Sequence, residues 1–519
     1  MTRKFIQISG FKGGYTNDLF DPLSRQTFQI AKDLDIISSS NMMVPHKALG
    51  TDATDKTLNN IKIDSTIIAS DGRIYLKGFD NTSGTTLTIW DAATTLNAST
   101  DLTAETVASG AGGGHGIVEF LSDLFYYESA TRIQAFDIGG GAVVTNAVAV
   151  NNTMPIFVHD GLKKMFYTVA ANQIGGTATT TISSTALLTL NEDERPRMAT
   201  HFGRFVVIGI NVVNGSRTSK LGIWDGSATA LDDLIDVGDV NIQAIANVNG
   251  TIYVITASNT GTLVGVDKKI KLYRWRGGLV DLVKEIEMKN TAGGAFSVNQ
   301  ESVAVHGDSL MFGVNSTTDG VMGIDNGVWA YNQRTGILTL ERITEDVDDI
   351  NITSINLIEG SPVVTWTDGT NYRINHSFVA GAPSTRGVYR SNAFPLNDGM
   401  PGQIKRIYIN HKPIPTSCGF TVAVKHFGNY PWGGTVPTED SFTDLITEQG
   451  ADTATTGKTQ STDNTTFTEV TGSDTNGNPA FDVARYAQLE IKVDEIAAST
   501  PVSILAPITL EVETEISRP

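Results

Sequence analysis

One short phrase recurs seven times along this chain: a turn, followed by a strand of apolar and aromatic residues. It reads "SDGRIYLKG" from Ser70, "LSDLFYYES" from Leu121, "HDGLKKMFYTV" from His159 and "HFGRFVVIGI" from His201. It returns as "VNGTIYVIT" from Val248, "HGDSLMFGV" from His306 and "IEGSPVVTW" from Ile358. The copies stand roughly 38 to 58 residues apart, a period that belongs to ringed or stacked β-repeats. Several are followed by a second strand with an aromatic residue: Trp90, Phe136, Trp224, Trp275 and Trp329. A four-stranded antiparallel sheet standing alone hides neither face, so neighbouring copies must cover it. The pattern predicts a β-propeller over 61–385 with about seven blades, and the uneven spacing also admits six or eight. In "LGIWDGSATALDD", Trp224 is expected between blades and Asp225-Gly226 in a hairpin turn.

Other repeat classes fit less well. Parallel solenoids use shorter and stricter repeats, and a sandwich has no reason to write one strand-turn phrase seven times. The Gly-His element of WD40 arrays and the paired glycines of kelch blades are missing. "STTDGVMGIDNGVW" from Ser316 lacks the spacing of a sialidase Asp-box. The 51 glycines, with abundant Thr, Asn and Asp, favour short strands and tight turns. One stretch, "SRQTFQIAKDLDII" from Ser24 to Ile37, reads either as a helix or as loop plus strand.

The flanks differ from the repeat region. Residues 1–60 read as an N-terminal arm with a lead-in strand, and 386–402, with Pro395 and Pro401, as a connector. Residues 403–519 show strand alternation. In "AQLEIKV", Leu489, Ile491 and Val493 point one way and Gln488, Glu490 and Lys492 the other, as in a sheet buried on one side. The expected fold is therefore all-β: a propeller followed by a C-terminal antiparallel β-sandwich. Within the sandwich, "TEQGADTATTGKTQSTDNTT" from Thr447 reads as a long polar loop or arm.

The chemistry is sparse. The formal charge is -18, without the clustered cations that a duplex-gripping surface needs, so it suits solubility or a wall past which nucleic acid slides. Cys418 is the single cysteine, which excludes an intrachain disulfide and a thiolate cluster. "MTRKFIQISG" has no apolar run behind its charges, and "RFVVIGINVV" from Arg204 is too short to span a bilayer. A cytoplasmic site of synthesis without membrane insertion is expected. "TATTGKT", ending at Thr459, lacks the leading glycine and the helix of a phosphate loop. "GAGGGHG" from Gly110 puts His115 where a dinucleotide loop needs glycine. No nucleophile elbow or His-Glu-x-x-His zinc motif occurs.

His159, His201 and His306 open three of the repeats, which fits imidazoles bonded to neighbouring blades' turns or a metal ring about the axis. "TEDVDDINI" from Thr344 and "DDLIDVGDVN" from Asp232 read as solvated acidic loops or partial calcium loops. No carboxylate pair stands out as a glycosidase couple. The expectation is no catalytic residue, no cofactor and no metal.

The first sixty residues carry a resemblance. Gly13-Gly14 is followed by Asp21-Pro22, then Gln29-Ile30-Ala31-Lys32-Asp33-Leu34-Asp35-Ile36, then His46-Lys47 and Gly50. This resembles the opening of propeller-bearing, nozzle-type tail structural proteins of tailed bacteriophages. "RGVYRSNAFPL" leading into "IKRIYINHK" resembles their passage from propeller to terminal sandwich. The resemblance implies a non-enzymatic virion component, made in the host cytoplasm and located in the tail. Copies, six by the resemblance, would ring a channel that DNA crosses only in passing, next to other virion tail proteins. Gly13, Gly14, Tyr15 and Asp21, with Thr456 and Lys458, would then belong to arms touching neighbouring subunits. The alternatives are a binder of host-surface glycans, with Tyr430 and Trp432 of "FGNYPWGG" stacking on sugar rings, and a propeller glycoside hydrolase.

Overall fold

The structure is a computed structural model that describes residues 3–11, 13–15, 27–37, 42–45, 50–51, 61–80, 84–91, 97–104, 116–129, 132–213, 218–257, 269–287, 296–316, 327–342, 351–358, 361–367, 372–376, 386–412, 418–427, 443–449, 458–462, 465–471, 483–495 and 503–514. It divides into two units: 50–328 with 344–376, and 1–49 with 329–343 and 377–519.

The first of these is built from meandering four-stranded sheets. Blade 1 comprises Ile61–Ile68, Ile74–Asp80, Gly84–Asp91 and Asn97–Ala104. Blade 2 comprises Ile117–Phe120, Asp123–Ser129, Arg132–Asp137 and Ala142–Ala149. Blade 3 runs through Phe157–His159, Lys164–Ala170, Gln173–Thr177 and Leu188–Thr189. Blade 4 runs through Glu194–Phe202, Phe205–Val212, Lys220–Trp224 and Asp233–Asp236. Blade 5 holds Ile242–Val248, Thr251–Ala257, Lys269–Trp275 and Asp281–Glu287. Blade 6 begins with Val303–His306 and Ser309–Ser316. Its sequence continues through Gly327–Asn332 and Leu338–Arg342, counted from Trp329 in the other unit. Blade 7 has Asn351–Ile358, Ser361–Thr367 and Tyr372–His376 from one end of the chain and Gly50–Thr51 from the other.

The first strands of the blades touch in cyclic order, and Asn351–Ile358 packs back on Ile61–Ile68. The ring is closed. This is a seven-bladed β-propeller, and all seven sequence repeats mark its innermost hairpins. The described tight turns use a left-handed backbone: Asn249 and Gly250 have φ of 47° and 78°. Blade 2 reaches the same geometry without glycine, with Leu121 at 53° and Ser122 at 69°.

Period-2 alternation supplies both faces of each blade. Tyr126 packs toward blade 1 with Tyr75 and Phe136. Its strand neighbours Phe125 and Tyr127 pack toward blade 3 with Met165 and Tyr167. Phe166 in turn faces blade 4 and meets Trp224 edge-on, with ring centroids 5.2 Å apart. Trp224 lies between blades as expected. Its turn is looser than a tight hairpin: Asp225 accepts from the Ser227 and Ala228 N–H groups, and the chain pairs again only at Asp233.

The second unit consists of two sheets enclosing one core of Ile6, Ile8, Phe28, Ile407, Phe420, Leu489, Ile491, Leu510 and similar side chains. Several expectations are corrected here. Thr27–Lys32 is a strand, which resolves the candidate helix over Ser24 to Ile37 for its described part. The segment expected as a connector carries the strand Arg386–Ser391, paired with Thr27–Lys32 on one side and Tyr486–Glu495 on the other. Tyr389 is buried there against Phe11 and Phe28, so the proline-rich text has a core strand inside it. The polar side of "AQLEIKV" is covered at two of its three positions, while Lys492 stays partly exposed. Glu490 is buried against Arg390, while Gln488 donates to Gln29 Oε1 at 2.9 Å and to the Ser391 carbonyl at 2.8 Å.

The N-terminal residues are part of this unit and not a free arm. Arg3–Ile8 pairs antiparallel with Ile504–Glu513, and Gly14–Tyr15 pairs parallel with Thr27–Lys32. Gly14 has φ of 71°, and a Cβ there would stand 3.1 Å from Leu338 N and 3.2 Å from Ile337 Cα. Gly14→Ala is therefore expected to cost about 1–3 kcal/mol, since the Ile337-Leu338 backbone cannot easily give way. A thermal unfolding midpoint equal to wild type would refute this close approach.

Candidate functional site at the axial mouth of the propeller

The starts of the inner strands gather at one mouth of the ring. Four of them, among the described residues, carry a one-residue register shift there: between Ile63 and Ser65, Pro196 and Met198, Ile242 and Ala244, and Ile352 and Ser354. A bulge lifts its extra residue out of the ladder and re-aims the side chain. At three of these shifts the residues so released are Arg197, Gln243 and Thr353.

A segment leading into blade 6 crosses this mouth. Gln300, just before Val303–His306, is 1% exposed. Its amide Nε2 donates to the carbonyls of Arg197 in blade 4 and of Thr153 ahead of blade 3, the latter at 3.4 Å. Next to it, Glu301 closes on blade 2: a Cβ on Gly116 would lie 3.4 Å from Glu301 Oε1 and 3.0 Å from Ile156 N. The Gly116 N–H donates to Ser65 Oγ of blade 1 at 3.2 Å. Residues from six blades or their lead-ins thus meet or border one another, counting Glu301's carbonyl, which accepts from Ile355 N of blade 7 at 3.0 Å.

Three polar atoms at this crossing are buried without a partner: Gln300 Oε1, Thr153 Oγ1 and Arg197 Nε. Burial pulls the Arg197 guanidinium below its ordinary value, and it makes no ion pair among the described residues. Native interiors pair their charges and bond their polar atoms, so three orphans together ask for an explanation.

The acidic stretch from Asp232 is resolved differently. Asp239 Oδ2 accepts from Thr256 Oγ1 at 2.9 Å and Tyr273 OH at 3.1 Å, and pairs with Lys271 Nζ at 3.1 Å. Burial alone would raise this carboxyl. The Val240 N–H, Lys271 and Thr256 outweigh it and hold the group below the usual carboxylate range. The same burial and the same carboxylate push the Tyr273 phenol up. Asp239 is a structural clasp across blade 5. Asp236 accepts from Thr218 Oγ1 at 2.6 Å, and no group able to hold a metal ion occurs among the described residues.

The repeat histidines are not brought together as a ring. His159 is buried, its Nδ1 accepts from the Leu162 N–H of its own turn at 3.2 Å, and burial lowers its pKa. Its ring meets that of His201 edge-on at 6.0 Å, while His306 is exposed. That ring contact joins blades 3 and 4 on this tight-turn face, and further links are Asn247 Nδ2 to the His201 carbonyl at 2.6 Å and Asn249 Nδ2 to Asp308 Oδ1 at 2.7 Å.

Of the residues expected in subunit contacts, Gly13 sits in the turn before Gly14–Tyr15, and Tyr15 meets Trp329 edge-on at 5.2 Å. Lys458 opens a strand paired with Thr465–Thr471, opposite Glu469, in place of the expected arm. Asp21 and Thr456, and the proposed sugar-stacking Tyr430 and Trp432, lie outside the described residues. Arg197 and Gln300 were not singled out from sequence, because a lone Arg beside Pro196 and a Gln in "SVNQES" carry no spacing signature.

No family model and no curated protein matches the chain. Among solved structures, the C-terminal WD40 domain of Sif2 aligns with a TM-score of 0.41 at 11% identity, over 67% of this chain and 95% of that one. The N-terminal domain of Nup159 aligns with a TM-score of 0.37 at 9% identity, over 67% and 99%. The propeller rests on its own strand order and ring closure.

Proposed function

We propose that this chain is a non-enzymatic structural subunit of a tailed-bacteriophage virion, a nozzle- or hub-type tail protein whose copies ring the DNA exit channel. The observation that carries this reading is the interleaving of its two units. Residues 1–49, 329–343 and 377–519 share one unit, so the chain passes between units at 49/50, 328/329, 343/344 and 376/377. Four covalent crossings spread a mechanical load better than a single linker does, which suits a particle component. The net charge of -18 supports it as well, since a negative wall repels phosphate and lets a genome pass. The resemblance of the opening and of the propeller-to-sandwich passage supplies the class of particle.

Native mass spectrometry of the purified protein and proteomics of purified particles test the proposal. A closed ring of copies and presence in the tail are expected. A protein that stays monomeric at all concentrations and is missing from particles would end this reading.

A further inference from the structure

We propose that the axial mouth of the propeller binds an oxyanion that carries a hydroxyl group, held by Arg197, Thr153 and Gln300. The inference stands on geometry independent of the assembly role. The Gln300 amide fixes the place, because its Nε2 is used on the Arg197 and Thr153 carbonyls and its Oε1 is therefore turned away from both. That oxygen is buried and needs a donor. Thr153 Oγ1 and Arg197 Nε are also buried and unpartnered, and they belong to the two residues whose carbonyls Gln300 holds.

The two donors and one acceptor define the ligand. Arg197 brings a positive charge with no carboxylate paired to it among the described residues, and the bulge between Pro196 and Met198 frees its side chain from the ladder. Glu301 does not supply that charge; its Oε1 lies on the Gly116 side. A negatively charged oxygen satisfies Arg197 and the Thr153 hydroxyl, with charge-assisted bonds to the guanidinium. A simple carboxylate then leaves Gln300 Oε1 unbonded, whereas an anion with an O–H can donate to it. Hydrogen phosphate and hydroxycarboxylates share that chemistry. Arg197 is only half-buried, so its outer nitrogens remain within reach of a ligand arriving along the axis.

Calorimetric titration of the full chain with sodium phosphate, glucuronate and acetate, at ionic strength matched with sodium chloride, tests the site. Saturable binding of phosphate or glucuronate is expected, with acetate weaker by about tenfold because the Gln300 bond is absent. Binding of phosphate alone or glucuronate alone supports the site and selects the source of the anion. Arg197→Met, similar in length and uncharged, should abolish binding while its unliganded melting temperature stays at or above that of wild type. Thr153→Val provides a second variant, expected to weaken binding about tenfold, should Arg197→Met fold poorly. Unchanged affinity in these variants, acetate binding as tightly as glucuronate, or no saturable heat with any anion would overturn the proposal and leave a bound water as the occupant.

Discussion

Asp239→Ala is expected to lower the stability of the propeller by about 3–5 kcal/mol, the range for breaking a buried charge pair by removing one partner. Asp239, in the lead-in to blade 5, is 8% exposed and gathers Lys271, Thr256 and Tyr273 from two of that blade's strands. Alanine leaves the ammonium without its counter-charge and the two hydroxyls without their shared acceptor. The pH dependence has a definite sign. A carboxyl held below its unfolded value contributes stability above that value, about pH 4, and loses it as pH falls through the folded one. Asp239→Asn should therefore be destabilised near neutrality and show a flatter acid limb than wild type. Urea melts at pH 7 and at pH 3 measure both quantities. If the gap between wild type and Asp239→Asn does not narrow on acidification, the clasp is not ionic.

Trp224→Ala is expected to cost about 3–5 kcal/mol, from lost burial plus a cavity that the surrounding sheets cannot close. Trp224 is fully buried between blades 3 and 4, with Phe166 against its ring and Val206, Ile208 and Ile174 in the same cluster. Its Nε1 donates to the Ala228 carbonyl at 2.7 Å, which anchors the loop begun by Asp225. Trp224→Phe keeps much of the apolar contact but loses this bond and part of the ring volume, so it should cost less, about 1–3 kcal/mol. Equal losses for Ala and Phe would show that the loop bond, and not interblade packing, holds the tryptophan. Trp275 is built alike in blade 5, with Nε1 donating to the Gly278 carbonyl at 2.8 Å and Phe202 of blade 4 at 4.9 Å. The same order of effects should appear there.

The blades were legible because each is local. A turn, two alternating strands and an aromatic lie within one stretch of chain, and period 2 already says which residues must be covered. Seven such phrases pointed to about seven blades, and the closed contacts of the inner strands fixed the number. The flanks were less legible, for the opposite reason. Arg386–Ser391 reads as a connector by its neighbouring prolines, yet it is a strand because Thr27–Lys32 and Tyr486–Glu495 arrive on its two sides. Gln488 and Glu490 look solvated until Arg390 and Gln29 are placed next to them.

The axial mouth lay beyond sequence reasoning altogether. Thr153, Arg197 and Gln300 come from three separate stretches, and none of them carries a motif. Local pattern in the chain determined the all-β class, the repeated hairpins and the tryptophans between them. Ring closure by Gly50–Thr51, the core strand hidden in the supposed connector and the polar crossing at the axis were decided only by the tertiary structure. The physical reason is range: hydrophobic alternation acts between neighbours along the chain, whereas pairing partners and convergent side chains are chosen by segments hundreds of residues apart.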